Sequence, residues 1–435
     1  MKYLPFQKEL FIENRQRYTA LLKPNAVAIF NSHDEMPRSA DSSFYFSQNR
    51  DLFYLTGIDQ EDSILVLYPD SPNPVFREML FLKRTSETIA IWEGHKYTKE
   101  EAHSTSGIAR IHWLEDFETM LQLVMHQAEY VYLNLNEHDR HVWHQKYKDI
   151  DFAHRIQREY PLHKCERSAP LMHRLRAIKS KYEIAAMQEA VNITHKAFER
   201  VCCFVKPGVT EYEIEAEITH EFLRNRATGH AYTPIIASGA SACVLHYIEN
   251  NKACHDGELM LLDFGAEYAN YAADLTRCIP VNGKFSPRQK EIYNAVLSVH
   301  NKAKAMLLVG ETWDNYHMKV GQIMTEELLK LRLIKKEDCK NDDWDNVPWN
   351  ESKAYRKYLM HGTSHYLGLD VHDVGSRYRK FEAGMVFTCE PGIYIPEEGI
   401  GVRIENDILI TEKGNTDLMG AIPLEVDAIE GLMAK

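Results

Sequence analysis

The run Leu261-Leu-Asp263-Phe-Gly-Ala-Glu-Tyr-Ala-Asn-Tyr-Ala-Ala-Asp274-Leu-Thr276 reads as an apolar strand that turns and comes back along itself. With the turn centred on Tyr268 and Ala269, Asp263 and Asp274 stand directly opposite one another. Opposed residues of an antiparallel pair share a face, with Cβ atoms about 5 Å apart. Two like charges at that spacing repel, and a buried unpaired carboxylate costs several kcal/mol. Such a pair therefore predicts a cation between the two groups, or a proton on one of them.

The same device recurs further along. In Thr388-Cys-Glu390-Pro-Gly-Ile-Tyr394-Ile-Pro-Glu-Glu-Gly399-Ile-Gly-Val-Arg403-Ile-Glu405, the stretch Pro396–Gly399 has turn composition. A turn centred on Glu397 and Glu398 sets Glu390 opposite Glu405. Asp263 to Glu390 spans 127 positions and Asp274 to Glu405 spans 131, so two hairpins from two similar halves are expected to bring four carboxylates into one cleft. Tyr394 and Arg403 share strand parity with Glu390 and Glu405 and are expected beside them, behind the metal-facing acids.

The elements around these hairpins repeat as well. Ser180-Lys-Tyr-Glu183 is a capping box that opens a helix with Ile184, Met187, Val191, Thr194, Phe198 and Val201 at helical spacing. Thr210–Glu213 opens a second, with Ile214, Ile218 and Phe222 on one face. Strand-like segments follow at about 233–247 and 258–281. Ser286–Gln289, with Pro287 at the first helical position, then opens a third helix, and a fourth runs from about 313 to 331. After an acidic insert at about 335–355, strand-like segments return at about 364–374 and 385–410. The order is ααββ and then ααββ, a pseudo-duplication preceded by an α/β domain. In that domain 63–68, 78–83 and 130–135 read as strands. The expected division is 1–172 and 173–435.

Histidines accompany the acids. His361, His365 and His372 fall within the glycine-interrupted segment 361–373, and His246 precedes His372 by 126 positions, close to the repeat offset. Four carboxylates with imidazole form a hard, oxygen-rich set that suits two divalent ions better than one structural zinc. Two ions carry +4 against −4 and would acidify a shared water into a bridging hydroxide nucleophile.

Composition narrows the partners. Lys and Arg total 51 against 63 Asp and Glu, a net charge of −12, which argues against nucleic acid or an anionic membrane. No apolar run approaches the ~20 residues of a membrane span. The N-terminus has no signal-like apolar region, and eight cysteines occur with no Cys-x-x-Cys. A cytoplasmic protein with reduced thiols is expected.

The string His361-Gly-Thr-Ser-His365 through Gly-Leu-Asp-Val-His372-Asp, with Glu390-Pro-Gly-Ile-Tyr394 and Arg403-Ile-Glu405-Asn-Asp, resembles the pita-bread metallopeptidases, which include methionine aminopeptidase, prolidase and aminopeptidase P. The resemblance implies that Asp263, Asp274, His365, Glu390 and Glu405 are metal ligands. It implies Mn²⁺ at two sites, with Co²⁺ or Zn²⁺ able to substitute. It also implies Glu390 as proton shuttle and His246, His361 and His372 as hydrogen-bonding partners of the substrate. All five ligands are present, unlike in metal-free relatives such as creatinase. Arg38-Ser-Ala-Asp41-Ser, Gln48-Asn49-Arg-Asp51-Leu-Phe-Tyr54-Leu-Thr-Gly57 and Ile91-Trp92-Glu-Gly94 resemble the amino-terminal domain of aminopeptidase P, which methionine aminopeptidases lack. The expectation is an α+β chain with an N-terminal α/β domain and a pita-bread catalytic domain. It would cleave peptides whose second residue is proline, as a homodimer or homotetramer. Asp41 and Trp92 are candidates for substrate or subunit contact. The nearest rival is a prolidase restricted to dipeptides; a rival of another class is an idle scaffold.

Overall fold

The structure, a computed structural model, describes residues 3–140, 145–351 and 353–434. Ser352, within the acidic insert, and Met1 and Lys2, at the head of the segment read for a signal sequence, lie outside it. Two compact units result, Tyr3–Arg176 and Ala177–Lys435.

The first unit is built on a six-stranded mixed sheet in the order Ile111–Trp113, Glu78–Leu82, Ser63–Leu67, Ala26–Asn31, Tyr130–Leu133, Lys164–Arg167. Ala26–Asn31 is buried along its whole length, antiparallel to Ser63–Leu67 and parallel to Tyr130–Leu133. Its core collects Val27, Ile29, Val66, Phe81, Phe117, Leu121, Val131 and Ile156. The helix Ala169–Arg176 belongs to this unit. It packs on the helix Glu9–Thr19, and Arg176 Nη1 holds Asp51 Oδ1 at 2.9 Å in a buried ion pair.

In the second unit the capping boxes set the helix starts. Ser180 Oγ accepts from Glu183 N–H while Glu183 accepts from Ser180 N–H at 2.8 Å, and the helix runs Lys181–Phe204. Ser286 and Gln289 repeat the arrangement at the head of Pro287–Met306. The buried face of Lys181–Phe204 includes Met187, Val191, Thr194, Phe198 and Val201, while Ile184 is only partly buried. Helices Glu211–Arg224 and Trp313–Lys330 complete the two helical pairs. Among the described residues the unit has three three-stranded antiparallel sheets, and two of them, one from each half, lie with these helices. One comprises Ile235–Ser238, Leu259–Phe264 and Leu275–Pro280; the other comprises Val386–Cys389, Asn406–Thr411 and Gly414–Asp417. A bridge between Thr276 and Glu405 joins the halves. This is the duplicated pita-bread arrangement.

Three local expectations change. The first hairpin turns at Ala269 and Asn270, both left-handed with φ of 52° and 65°, the pair of positive φ values of a two-residue hairpin turn. Asparagine tolerates that conformation better than Tyr268 would. Asp263 therefore opposes Thr276 rather than Asp274. The displacement is two residues, so parity is kept and both acids stay on one face. The same register sets Gly265 opposite Asp274. A Cβ at Gly265 would sit 1.7 Å from the Ala273 carbonyl oxygen, so only glycine permits that close approach. The second correction concerns 233–247, where the strand ends at Ser238 and a 3₁₀ turn, Gly239–Cys243, follows; His246 is exposed beyond it. The third concerns 364–374. Only its first residues run along Val386–Cys389, through Thr388 N–H to His365 O at 3.0 Å, Glu390 N–H to Thr363 O at 3.0 Å and Leu367 N–H to Val386 O at 3.1 Å. Beyond Leu367 the chain folds into bends.

The acidic insert forms turns docked by aromatics. Trp349 stacks on His317 with ring centroids 4.3 Å apart, and Trp344 stacks on Tyr355. Among the described residues no helix is long and apolar enough to cross a membrane.

Candidate functional site

Strand pairing explains how distant acids meet. The second hairpin pairs Gly392 with Arg403 and Tyr394 with Gly401, the register expected from a turn at Glu397 and Glu398. Ile404 N–H donates to Pro391 O at 3.2 Å, extending the pairing toward Glu390 and Glu405. Glu405 N–H donates across to Thr276 O at 3.1 Å, which brings the second hairpin against the first.

The side chains converge. Asp274, His365 and Glu405 each offer a ligand atom within 4.8 Å of the others. His365 Nε2 lies 3.3 Å from Asp274 Oδ2 and 3.6 Å from Glu390 Oε1. Its Nδ1 lies 2.9 Å from the Tyr366 carbonyl oxygen, which can only accept, so Nδ1 carries the proton. The Nε2 lone pair then faces two carboxylates, an arrangement that calls for a cation between them. Tyr232 makes the same point at Asp263. Its hydroxyl is 2.6 Å from both Asp263 Oδ1 and Asp274 Oδ1, yet it has one proton to donate. The five residues fit divalent metal on the chemistry of their donors.

Arg403 supplies positive charge from behind. Its Nη2 donates to Asp263 Oδ2, its Nη1 to Tyr394 OH at 2.8 Å and its Nε to Thr276 Oγ1 at 3.1 Å. Thr276 in turn donates to Glu405 Oε2 at 2.6 Å. Burial works against the Arg403 charge, but Tyr394, Asp263 and Glu405 outweigh it and hold its pKa above the ordinary value. Glu390 and Glu405 are pushed well above the usual carboxylate range, by burial first and then by the neighbouring acids, while Arg403 opposes the shift. Glu390 keeps 16% of its side chain exposed.

His361 keeps 19% of its side chain exposed, and its pKa falls to about 3, chiefly through desolvation and then the Arg403 charge. Its Nδ1 donates to the Gly362 carbonyl at 2.6 Å, so Nε2 accepts from Tyr394 OH at 2.8 Å. A directed chain runs from Arg403 Nη1 through Tyr394 OH to His361. Both ring nitrogens of His361 are thus engaged inside the protein. His372 stands edge-on to His365, centroids 4.5 Å apart at 88°. His246 is among the charges that depress His361, from its exposed place beyond the 3₁₀ turn. Asp41 lies exposed between Pro37–Ser39 and Ser42–Ser43, and Trp92 is 84% exposed on the helix Glu87–Glu93, both in the first unit.

Three residues at this site, Thr276, Asp407 and Tyr232, carry no role that the sequence alone assigns. Thr276 and Asp407 follow Asp274 and Glu405 at two-residue spacing, so strand parity would have pointed to both. Asp407 is fully buried and accepts from Asp274 N–H at 3.2 Å. Tyr232 precedes the strand Ile235–Ser238 and carries no pattern that marks it.

Comparison with known proteins agrees with this geometry. Residues 185–412 match the family model of metallopeptidase family M24, and residues 11–132 match that of the aminopeptidase P N-terminal domain. The Xaa-Pro aminopeptidase of Haemophilus influenzae is 36% identical over 441 residues, covering 98% of this chain and 97% of that protein. Zn-substituted E. coli aminopeptidase P in complex with product superposes with a TM-score of 0.87 at 34% identity, covering 99% of each chain. The E. coli enzyme with the inhibitor Pro-Leu gives 0.87 at 33% identity over the same share of each. The chain belongs to metallopeptidase family M24 and carries the aminopeptidase P N-terminal domain ahead of its metallopeptidase domain.

Proposed function

We propose that this protein is a metal-dependent aminopeptidase that releases the N-terminal residue from peptides with proline in second position. The observation that carries the reading is the convergence of Asp263, Asp274, His365, Glu390 and Glu405, with the His365 lone pair turned into the acid cluster. These five would hold two divalent ions, Mn²⁺ first among them. When bound, the ions supply Lewis acidity at the scissile carbonyl and lower the pKa of a water.

The chain's own residues do the rest. Glu390, the ligand side chain open to the cleft, takes the proton from the attacking water and delivers it to the departing nitrogen. His372 and His246 donate hydrogen bonds to the substrate or to the developing oxyanion. His361 acts through Tyr394 and Arg403, which fix its tautomer and orient the Asp263 carboxylate. Proline lacks an amide hydrogen, so a cleft lined by donors leaves no acceptor waiting for it. The names of the relatives, Xaa-Pro aminopeptidase and aminopeptidase P, support the same substrate class.

The eight cysteines are all unpaired, which supports a reducing compartment such as the cytoplasm. Ile91 and Trp92, both largely exposed, support a homo-oligomer in which the first unit of one copy meets another copy.

The test is hydrolysis of an Xaa-Pro dipeptide against an Xaa-Pro-Xaa tripeptide with added Mn²⁺. Preference for the tripeptide supports an aminopeptidase. Activity confined to the dipeptide makes the protein a prolidase.

A further inference from the structure

The segment 361–374 carries three of the site's histidines, yet beyond Leu367 it has no ladder to hold it. A buried ion pair holds its far end. Lys179 Nζ lies 3.0 Å from Asp373 Oδ2, and both side chains are 1% exposed. Asp373 N–H donates to Tyr366 O at 2.9 Å, closing the loop on itself. Gly368 makes room for the pair: a Cβ there would come within 2.2 Å of Asp373 Oδ2 and 2.9 Å of Lys179 Nζ.

The lysine is itself anchored. Its N–H donates to Gly384 O at 2.8 Å, and the next residue, Ser180, caps the helix Lys181–Phe204. That helix start grips the first hairpin too. Tyr271 OH donates to Glu183 Oε1 at 3.2 Å, and Ala272 N–H donates to Gly368 O at 2.8 Å, two residues before Asp274. One helix N-terminus therefore ties the histidine loop and the first acid hairpin to the same frame.

A fully buried ion pair is a weak source of net stability, because desolvation offsets most of its attraction. We propose that Lys179 is a positioning residue: through Asp373 it sets the place of the adjacent His372, whose ring stands edge-on to the metal-facing His365. The consequence for catalysis rests on the reading of His372 as a substrate contact. The placement itself does not.

The experiment compares the full-length protein with Lys179→Met, the double variant Lys179→Met/Asp373→Asn and His372→Ala. The double variant leaves no uncompensated buried charge and covers the case in which the single variant does not fold. Positioning predicts that kcat/KM on Ala-Pro-Ala falls about 10- to 100-fold in the double variant, mainly in kcat, with metal content unchanged. It also predicts that the His372 ring resonance of metal-free, ¹³C-histidine-labelled protein, assigned by its loss in His372→Ala, moves in the double variant. A double variant with a lower Tm but an unmoved His372 resonance and wild-type kcat would overturn the proposal. Full activity in His372→Ala would remove the substrate-contact reading, and the resonance would then decide the placement alone.

Discussion

Replacing Arg403 by methionine separates the protein's own charge balance from that supplied by metal. The guanidinium is the cation bonded directly to Asp263, and it also donates to Tyr394 and Thr276. Removing one partner of a buried ion pair costs about 3–5 kcal/mol. The other two bonds add less. Tyr394 OH keeps its contact to His361 and Thr276 keeps its bond to Glu405, so neither group is orphaned and each loss stays within about 1 kcal/mol. In chelator the variant should lose about 4–5 kcal/mol of stability, with Glu390 and Glu405 driven still further toward the protonated form. With divalent metal bound, the positive charge at Asp263 is restored and the loss should shrink to about 1–2 kcal/mol. The thermodynamic cycle then requires the variant to bind metal about 100-fold more tightly than the parent, although it is the less stable protein. Denaturant unfolding of both proteins, in EDTA and in excess metal, measures all four corners. A loss below 1 kcal/mol in EDTA, or an equal loss with and without metal, would show that Arg403 and the metal do not balance the same charge.

Asp263→Asn should cripple metal binding and lower turnover by at least about 100-fold, since it removes a ligand charge; two bound metals by elemental analysis with near-normal turnover would reject Asp263 as a ligand. In the first unit, buried Asp149 is held beside Asn31 at 2.9 Å and its pKa rises to about 7, by burial first and then by Asp51 and Asp34. Its folded pKa exceeds its unfolded one, so its contribution is complete below about pH 4 and lost as pH rises through 7. Between pH 5 and 8 Asp149→Asn should therefore gain about 2–3 kcal/mol relative to the parent by denaturant unfolding, and a pH-independent gap would count against this. Light scattering at micromolar concentration should give a multiple of the chain mass, whereas a clean monomer would dismiss the oligomer.

Much of the catalytic unit is written in short-range patterns. The capping boxes at Ser180 and Ser286 mark helix starts because the reciprocal bonds need only residues three apart. The second hairpin is legible because Pro396 and Gly399 confine the turn between them. The first turns one position later than its composition suggests, because the deciding residue, Asn270, stands out from its neighbours in tolerating positive φ. A shift of pairing by two residues keeps parity, so Asp263 and Asp274 still share a face. Ala26–Asn31 was invisible for another reason: a strand buried on both faces shows no alternation. Tyr232 could not be seen either, since its place between Asp263 and Asp274 depends on the meeting of separate segments.

Whether these acids and histidines serve a proline-specific cleft is decided by kcat/KM on Ala-Pro-Ala against Ala-Ala-Ala with Mn²⁺. An alanine in second position leaves its own N–H unpaired and the ring-shaped space half filled, each worth about 1–3 kcal/mol. The proline peptide should be preferred at least about 100-fold. Comparable values for the two peptides would contradict it and leave a general aminopeptidase on this fold.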